Sequence, residues 1–110
     1  MITRFALFEG TIKPGRTAAF RDAVKARLVP LWTQFPGTLD VRVMFSDDRD
    51  EGAPEFPLIL AITYPNADAM TAALDSPARF QSKDVTGEIV AEFFEGRIHH
   101  HVTDLNEYKG

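Results

Sequence analysis

The sequence contains no cysteine. That excludes a disulfide framework, a thiolate nucleophile and any cysteine-built metal site. It also suits a reducing compartment, and a cytoplasmic location is expected. No run of basic residues occurs, and the formal net charge is −4. Scattered lysines and arginines on an acidic chain argue against nucleic acid or an anionic membrane as partner. No apolar run approaches the roughly 20 residues that a membrane span requires. Arg4 and Glu9 bracket the first apolar stretch too closely for a signal peptide. Glycine-rich phosphate loops, nucleophile elbows and dinucleotide fingerprints are missing, which removes nucleotide-dependent and serine-hydrolase readings. Asp47, Asp48, Asp50 and Glu51 lack the spacing of a calcium loop and read as a solvated turn.

What is present is an ordinary globular composition. Of the 110 residues, 45% are hydrophobic, enough for one folded domain spanning 1–110. Residues 3–12 are rich in Phe, Leu and Ile and stop at Lys13-Pro14-Gly15, which predicts a strand and a turn. Phe5 to Phe8 are apolar at consecutive positions, as in a strand covered on both faces. Thr17 is the expected N-cap of a helix whose apolar stripe is Phe20, Val24, Leu28, Leu31, Trp32 and Phe35. Pro30 is expected to kink or restart it, because proline supplies no backbone donor.

Residues 38–46 alternate strictly. Leu39, Val41, Val43 and Phe45 share one strand face; Asp40, Arg42, Met44 and Ser46 share the other. Residues 47–57 read as an exposed connection, and 58–64 as a second continuously apolar strand closed by Pro65. Asn66 is the expected cap of a short helix that breaks at Asp75-Ser76-Pro77. Phe80, Val85, Ile89 and Phe93 then give a helical stripe, with Gly96 as its stop and 97–103 as the last strand. The order strand, helix, strand, strand, helix, strand predicts an α+β, ferredoxin-like βαββαβ fold. Its four-stranded antiparallel sheet carries helices on one face. The other face needs a cover, and a second copy of the same sheet is the simplest one.

Four short stretches carry a wider resemblance: Ile12-Lys13-Pro14-Gly15, Phe35-Pro36-Gly37, Asp75-Ser76-Pro77-Ala78-Arg79-Phe80 and Phe93-Phe94-Glu95-Gly96-Arg97. With them the chain resembles the dimeric α/β-barrel superfamily, which includes EthD-like, antibiotic-biosynthesis-monooxygenase-like and stress-responsive A/B-barrel proteins. The resemblance implies a homodimer whose two sheets enclose a pocket. It also implies chemistry drawn from cofactor-free oxygenation, polyketide cyclisation or haem degradation. Haem-binding relatives use a helical histidine, which this chain lacks, so haem is not expected. Plant cyclases of this fold place their acting histidine where Arg79 stands here and have another on the first strand. Their mechanism therefore does not carry over.

All three histidines are consecutive and lie in the last strand, His99-His100-His101. Alternation places Arg97, His99, His101 and Thr103 on one face, and Ile98, His100 and Val102 on the other. His99 and His101 have the spacing of a metal-ligating pair. No third ligand beyond Asp40 is evident, and no metal or other cofactor is expected. The same pair could serve as general base and hydrogen-bond donor, or bond structurally across a dimer. His99, His101 and Arg42 are the candidate catalytic residues. Asp40, Met44, Arg97, His100 and Arg79 are the candidate ligand-binding residues. Asp40 and Arg42 fit either an edge salt bridge or the lining of a pocket. His100 is expected to face the helices as a structural group, and Arg79 to cap the broken helix in preference to reaching the pocket mouth. Two functional classes follow. One is a cofactor-independent oxygenase, cyclase or isomerase acting on a hydrophobic or aromatic molecule. The other is a non-catalytic, ligand-binding or stress-related homodimer.

Overall fold

β1, Ile2–Ile12, is a central strand of the computed structural model, which describes all 110 residues. It lies between β3, Leu58–Tyr64, and β4, Phe94–Asp104; β2, Asp40–Phe45, closes the other edge beyond β3. Every pairing is antiparallel and the order is β2-β3-β1-β4. This is the expected ferredoxin-like sheet. β1 and β4 stay paired along their full lengths, from Ile2 opposite Asp104 to Ile12 opposite Phe94.

The helices cover one face. On it Ala6, Phe8, Leu58, Leu60 and Ile62 meet Phe20, Val24, Leu28, Trp32, Ile89 and Phe93 in one buried core. Val41, Val43 and Phe45 pack against that core as their alternation requires. Leu39, expected with them, is 54% exposed, because it precedes β2 at the sheet edge. The opposite face has no helix over it. Phe5, Leu7 and Ile59 remain partly exposed there.

The first helical region is α1, Thr17–Ala23, a π-helical turn at Val24–Leu28, and α2, Val29–Trp32. Phe20, Val24, Leu28 and Trp32 recur every four residues, wider than the 3.6 of an α-helix, so their stripe would drift around the axis. The wider π turn holds Val24 and Leu28 on the core side; both are fully buried. It also accommodates Pro30, which cannot donate to the preceding turn. The helix therefore widens before Pro30 and continues. Thr17 is already helical, and the capping position is Arg16, whose side chain makes no capping bond.

α3, Ala67–Leu74, begins as expected at Asn66, whose side chain accepts from the Ala69 backbone N–H at 2.9 Å. α4 is Pro77–Phe93. Its buried residues are Ser82, Ile89 and Phe93, and Phe80 is 49% exposed. A five-residue step from Phe80 to Val85 breaks helical phase, whereas Ser82, Val85, Ile89 and Phe93 keep it. Gly96 is not the stop of this helix. Phe94 is already extended, with φ −134 and ψ 144, and the chain enters β4 directly.

Gly96 instead stands opposite Gly10 in the β1–β4 pairing. A Cβ on Gly10 would lie 2.7 Å from the Gly96 Cα and 2.9 Å from the Phe94 ring. A Cβ on Gly96 would meet the Gly10 Cα and the same ring at 2.8 Å each. The two glycines make room for Phe94 to fold over the sheet and meet Phe8 edge-on, with ring centroids 6.1 Å apart.

Candidate functional site

Between the sheet and α4 lies a cavity of about 360 Å³. This is within the range of small-molecule sites. Its body is apolar, formed by Phe8, Trp32, Phe35, Leu60, Val90 and Ile98. Trp32 and Phe35, expected as helix-end packing, are buried and also line this space. Polar groups gather from three strands and a helix: Arg4 from β1, Tyr64 from β3 and His100 from β4, with Arg79 and Lys83 from α4. No aspartate or glutamate lines it.

Strand register explains this convergence. Arg4 has the same parity as Ala6 and Phe8, and it pairs with Ile62 on one side and Val102 on the other. His100 stands opposite Ala6, whose small side chain leaves the imidazole open to the cavity. Tyr64 ends β3 on the same face and is 1% exposed. Arg79 sits in the first turn of α4. Its backbone N–H donates to the capping Ser76 Oγ at 3.3 Å, which leaves the side chain free to line the cavity. The expected capping role therefore belongs to Ser76.

The electrostatics of the group follow from this crowding. His100 is exposed overall, but partial desolvation against the cavity wall lowers its pKa, and the positive charges of Arg4, Arg79 and any protonated His99 push it further, to about 4. His100 is therefore a neutral imidazole at physiological pH. Burial raises the Tyr64 pKa despite the opposing pull of Arg4 and Arg79, so its phenol stays protonated. Burial lowers the Arg4 pKa and the Arg79 charge adds to that, while Tyr64 opposes it.

The other candidate residues lie on the uncovered face. Register places Asp40, Arg42 and Met44 of β2 and Arg97, His99 and His101 of β4 there, as strand parity requires. β3 and β1 separate the two sets. Arg42 Nε is 3.8 Å from Asp40 Oδ1, an edge ion pair with Arg42 mainly in solvent. Arg42 and Met44 also line a shallow depression with Thr3, Phe5, Ala61 and Thr63. His99 and His101 line neither this depression nor the cavity. His99 Nε2 meets Glu9 Oε1 at 2.8 Å, and Arg97 Nε approaches the same oxygen at 3.5 Å. The hydrogen bond from His99, then the Arg97 charge, hold the Glu9 pKa below its ordinary value against some burial. No group of three histidine or carboxylate side chains is placed to hold a metal ion.

Of the eight candidates, His100 and Arg79 meet in the cavity, and the other six share the open face. Sequence reasoning missed Arg4, Tyr64 and Lys83. One signal was available for Arg4: a charged residue on the otherwise apolar face of a central strand.

No protein-family model and no curated protein matches the sequence. Solved structures do match. One is an EthD-family protein from Bacillus halodurans, with a TM-score of 0.77 and 18% identity, covering 96% of this chain and 99% of that one. Another is SnoaB from Streptomyces nogalater, a cofactor-independent oxygenase, with a TM-score of 0.65 and 17% identity over 97% and 94% of the two chains. A third is a dimeric ferredoxin-like protein of unknown function from Jannaschia, with a TM-score of 0.64 and 19% identity over 94% and 98%. The similarity is one of fold, and it is the fold that the sequence resembles.

Proposed function

We propose that this protein takes a hydrophobic or aromatic small molecule into the cavity between sheet and helices. There it acts as a cofactor-independent oxygenase, cyclase or isomerase. The observation that carries this reading is a neutral imidazole and a protonated phenol, His100 and Tyr64, at the polar end of an apolar cavity. All three reactions can begin by moving a proton off an activated C–H or O–H bond. His100 accepts that proton on a ring nitrogen, and the electron pair stays on the substrate. Tyr64 donates a hydrogen bond to the substrate oxygen where charge develops. Rearrangement of the anion gives isomerisation or cyclisation, and its reaction with dioxygen gives oxygenation. The cofactor-independent oxygenase among the similar folds supports this class.

The dimer belongs to the same proposal. Other proteins of this fold are described as dimeric. Phe5, Leu7 and Ile59 offer an apolar surface for a second sheet. His99, His101 and Arg42, with Asp40, Met44 and Arg97, would then border the space between the sheets.

A second reading, a non-catalytic binding dimer, is favoured by the low basicity of His100, because a base with a pKa of about 4 captures protons poorly. Native mass spectrometry of the purified protein, followed by aerobic incubation with any released compound, separates the two. Turnover that His100→Gln and Tyr64→Phe each slow by roughly a hundredfold supports the enzyme. Binding without turnover supports the holder. Failure of a broad aromatic library to bind at all would sink both.

A further inference from the structure

The chain has eight arginines, and six of them pair with a carboxylate at 3.0 to 3.8 Å: Arg16, Arg21, Arg27, Arg42, Arg49 and Arg97. The two that pair with none are Arg4 and Arg79, and both line the cavity. Carboxylates are not scarce, since 16 acidic residues stand against 12 basic ones. Yet none of them lines this space, while Lys83 adds a third cation.

Nothing else there supplies negative charge. His100 is neutral and the Tyr64 phenol is protonated. A guanidinium on the helix-covered face of a central strand has lost part of its hydration, and such a group needs a counter-charge. The remaining wall is aromatic and aliphatic.

We infer that the cavity selects an organic carboxylate, with its apolar body against Phe8, Trp32 and Leu60 and its carboxylate between Arg4 and Arg79. A planar carboxylate accepts paired hydrogen bonds from a guanidinium, and one anion between the two arginines relieves their mutual repulsion. His100 and Tyr64 then face the part of the ligand next to the acid group. This inference rests on the cavity being the small-molecule site and adds the charge class of its ligand.

The test compares acids with their amides, which match in shape and differ in charge. Octanoate and octanamide are titrated by the fluorescence of Trp32, the single tryptophan of the chain and a wall of the cavity. The pair 2-naphthoate and 2-naphthamide is titrated by calorimetry. Each acid is expected to bind roughly ten- to a hundredfold tighter than its amide, the range of a charge-assisted hydrogen bond. Arg4→Gln and Arg79→Gln should each remove most of that preference by weakening the acid far more than the amide. Arg79→Lys should retain part of it, and Arg27→Gln, from a surface pair with Glu88, should retain all. Equal binding of acid and amide by the unmodified protein overturns the inference and leaves the cavity reading standing. If none of the four compounds moves the Trp32 signal or gives heat, both fall.

Discussion

His99 and Glu9 meet on the uncovered face of the sheet along a diagonal. The register sets Glu9 opposite Arg97 and His99 opposite Leu7, yet His99 Nε2 lies 2.8 Å from Glu9 Oε1. Glu9 thus meets two β4 side chains at once, a hydrogen bond with His99 and an ion pair with Arg97, and this ties β4 to β1 on that face. The Glu9 pKa is held down by these partners, chiefly His99. A carboxylate with a depressed folded pKa adds stability above its unfolded value and loses it as pH falls through the folded one. Glu9→Gln should therefore reduce stability near neutrality and remove part of the acid sensitivity. Urea midpoints at several pH values check it. Coincident curves for the two proteins would deny the pair any role in stability.

His100 has the opposite consequence for chemistry and the same sign for stability. Its folded pKa of about 4 lies below the ordinary histidine value, so the unfolded chain binds more protons between the two. Stability should rise with pH from about 4 to about 6.5 on account of this residue. His100→Gln should flatten the profile over that window relative to the unmodified protein. Proton NMR of the His100 ring gives an independent value. An ordinary histidine titration there would show that the cavity neither desolvates the imidazole nor repels its charge.

Leu28→Ala and Ile89→Ala should each cost roughly 2–5 kcal/mol, as large-to-small changes in a packed core do. Both side chains are buried within one core cluster, one from the π turn and one from α4. Chemical denaturation measures the loss. A neutral result at either position would mean that the core repacks there.

Gly10→Ala or Gly96→Ala should cost at least about 1–3 kcal/mol, the range for overfilling a packed region, because each new methyl would run into the facing backbone carbonyl, and Gly10, with φ 151°, gains backbone strain as well. The new methyl would meet the facing strand and the Phe94 ring. Adding Phe94→Leu should recover part of that loss if the ring is the group in the way. A double variant no better than the single one would point to the facing backbone instead.

The dimer is tested at Leu7, which lies on the uncovered face. Leu7→Glu should shift sedimentation toward monomer while far-ultraviolet circular dichroism holds. His99→Phe with His101→Phe should leave the assembly intact, because neither ring is in the core. A stable monomer of the unmodified chain at micromolar concentration would remove the dimer from the proposal.

Much of the scaffold was legible because alternation and helical spacing report burial directly. β3 was readable to the residue, and the parity of β4 correctly separated His99 and His101 from His100. Other features depend on spatial partners that local pattern does not reveal. Gly96 read as a helix stop because its partner, Gly10, is 86 positions away. Arg79 read as a cap because its backbone does sit in one, while its side chain turns to the cavity. The site was only half legible for a similar reason. Histidines attract attention in a sequence, but Arg4 and Tyr64 gain meaning only when β1, β3 and β4 are set side by side.

The run of three histidines gives β4 a form of redundancy. In most strands, a slip of one residue would replace an inward group with one of different chemistry. Here, a slip in either direction would bring His99 or His101 to the place of His100, and the cavity would keep an imidazole. The Gly10–Gly96 crossing meanwhile penalises such a slip, since any other residue brought opposite Gly10 would carry a side chain into the facing strand. The strand is thus tolerant in its chemistry where it is intolerant in its geometry. A single-residue insertion between Gly96 and His99 would keep the glycine crossing and bring His99 opposite Ala6, so the cavity would still be offered a histidine. That makes this short stretch a natural place to lengthen the strand in engineering.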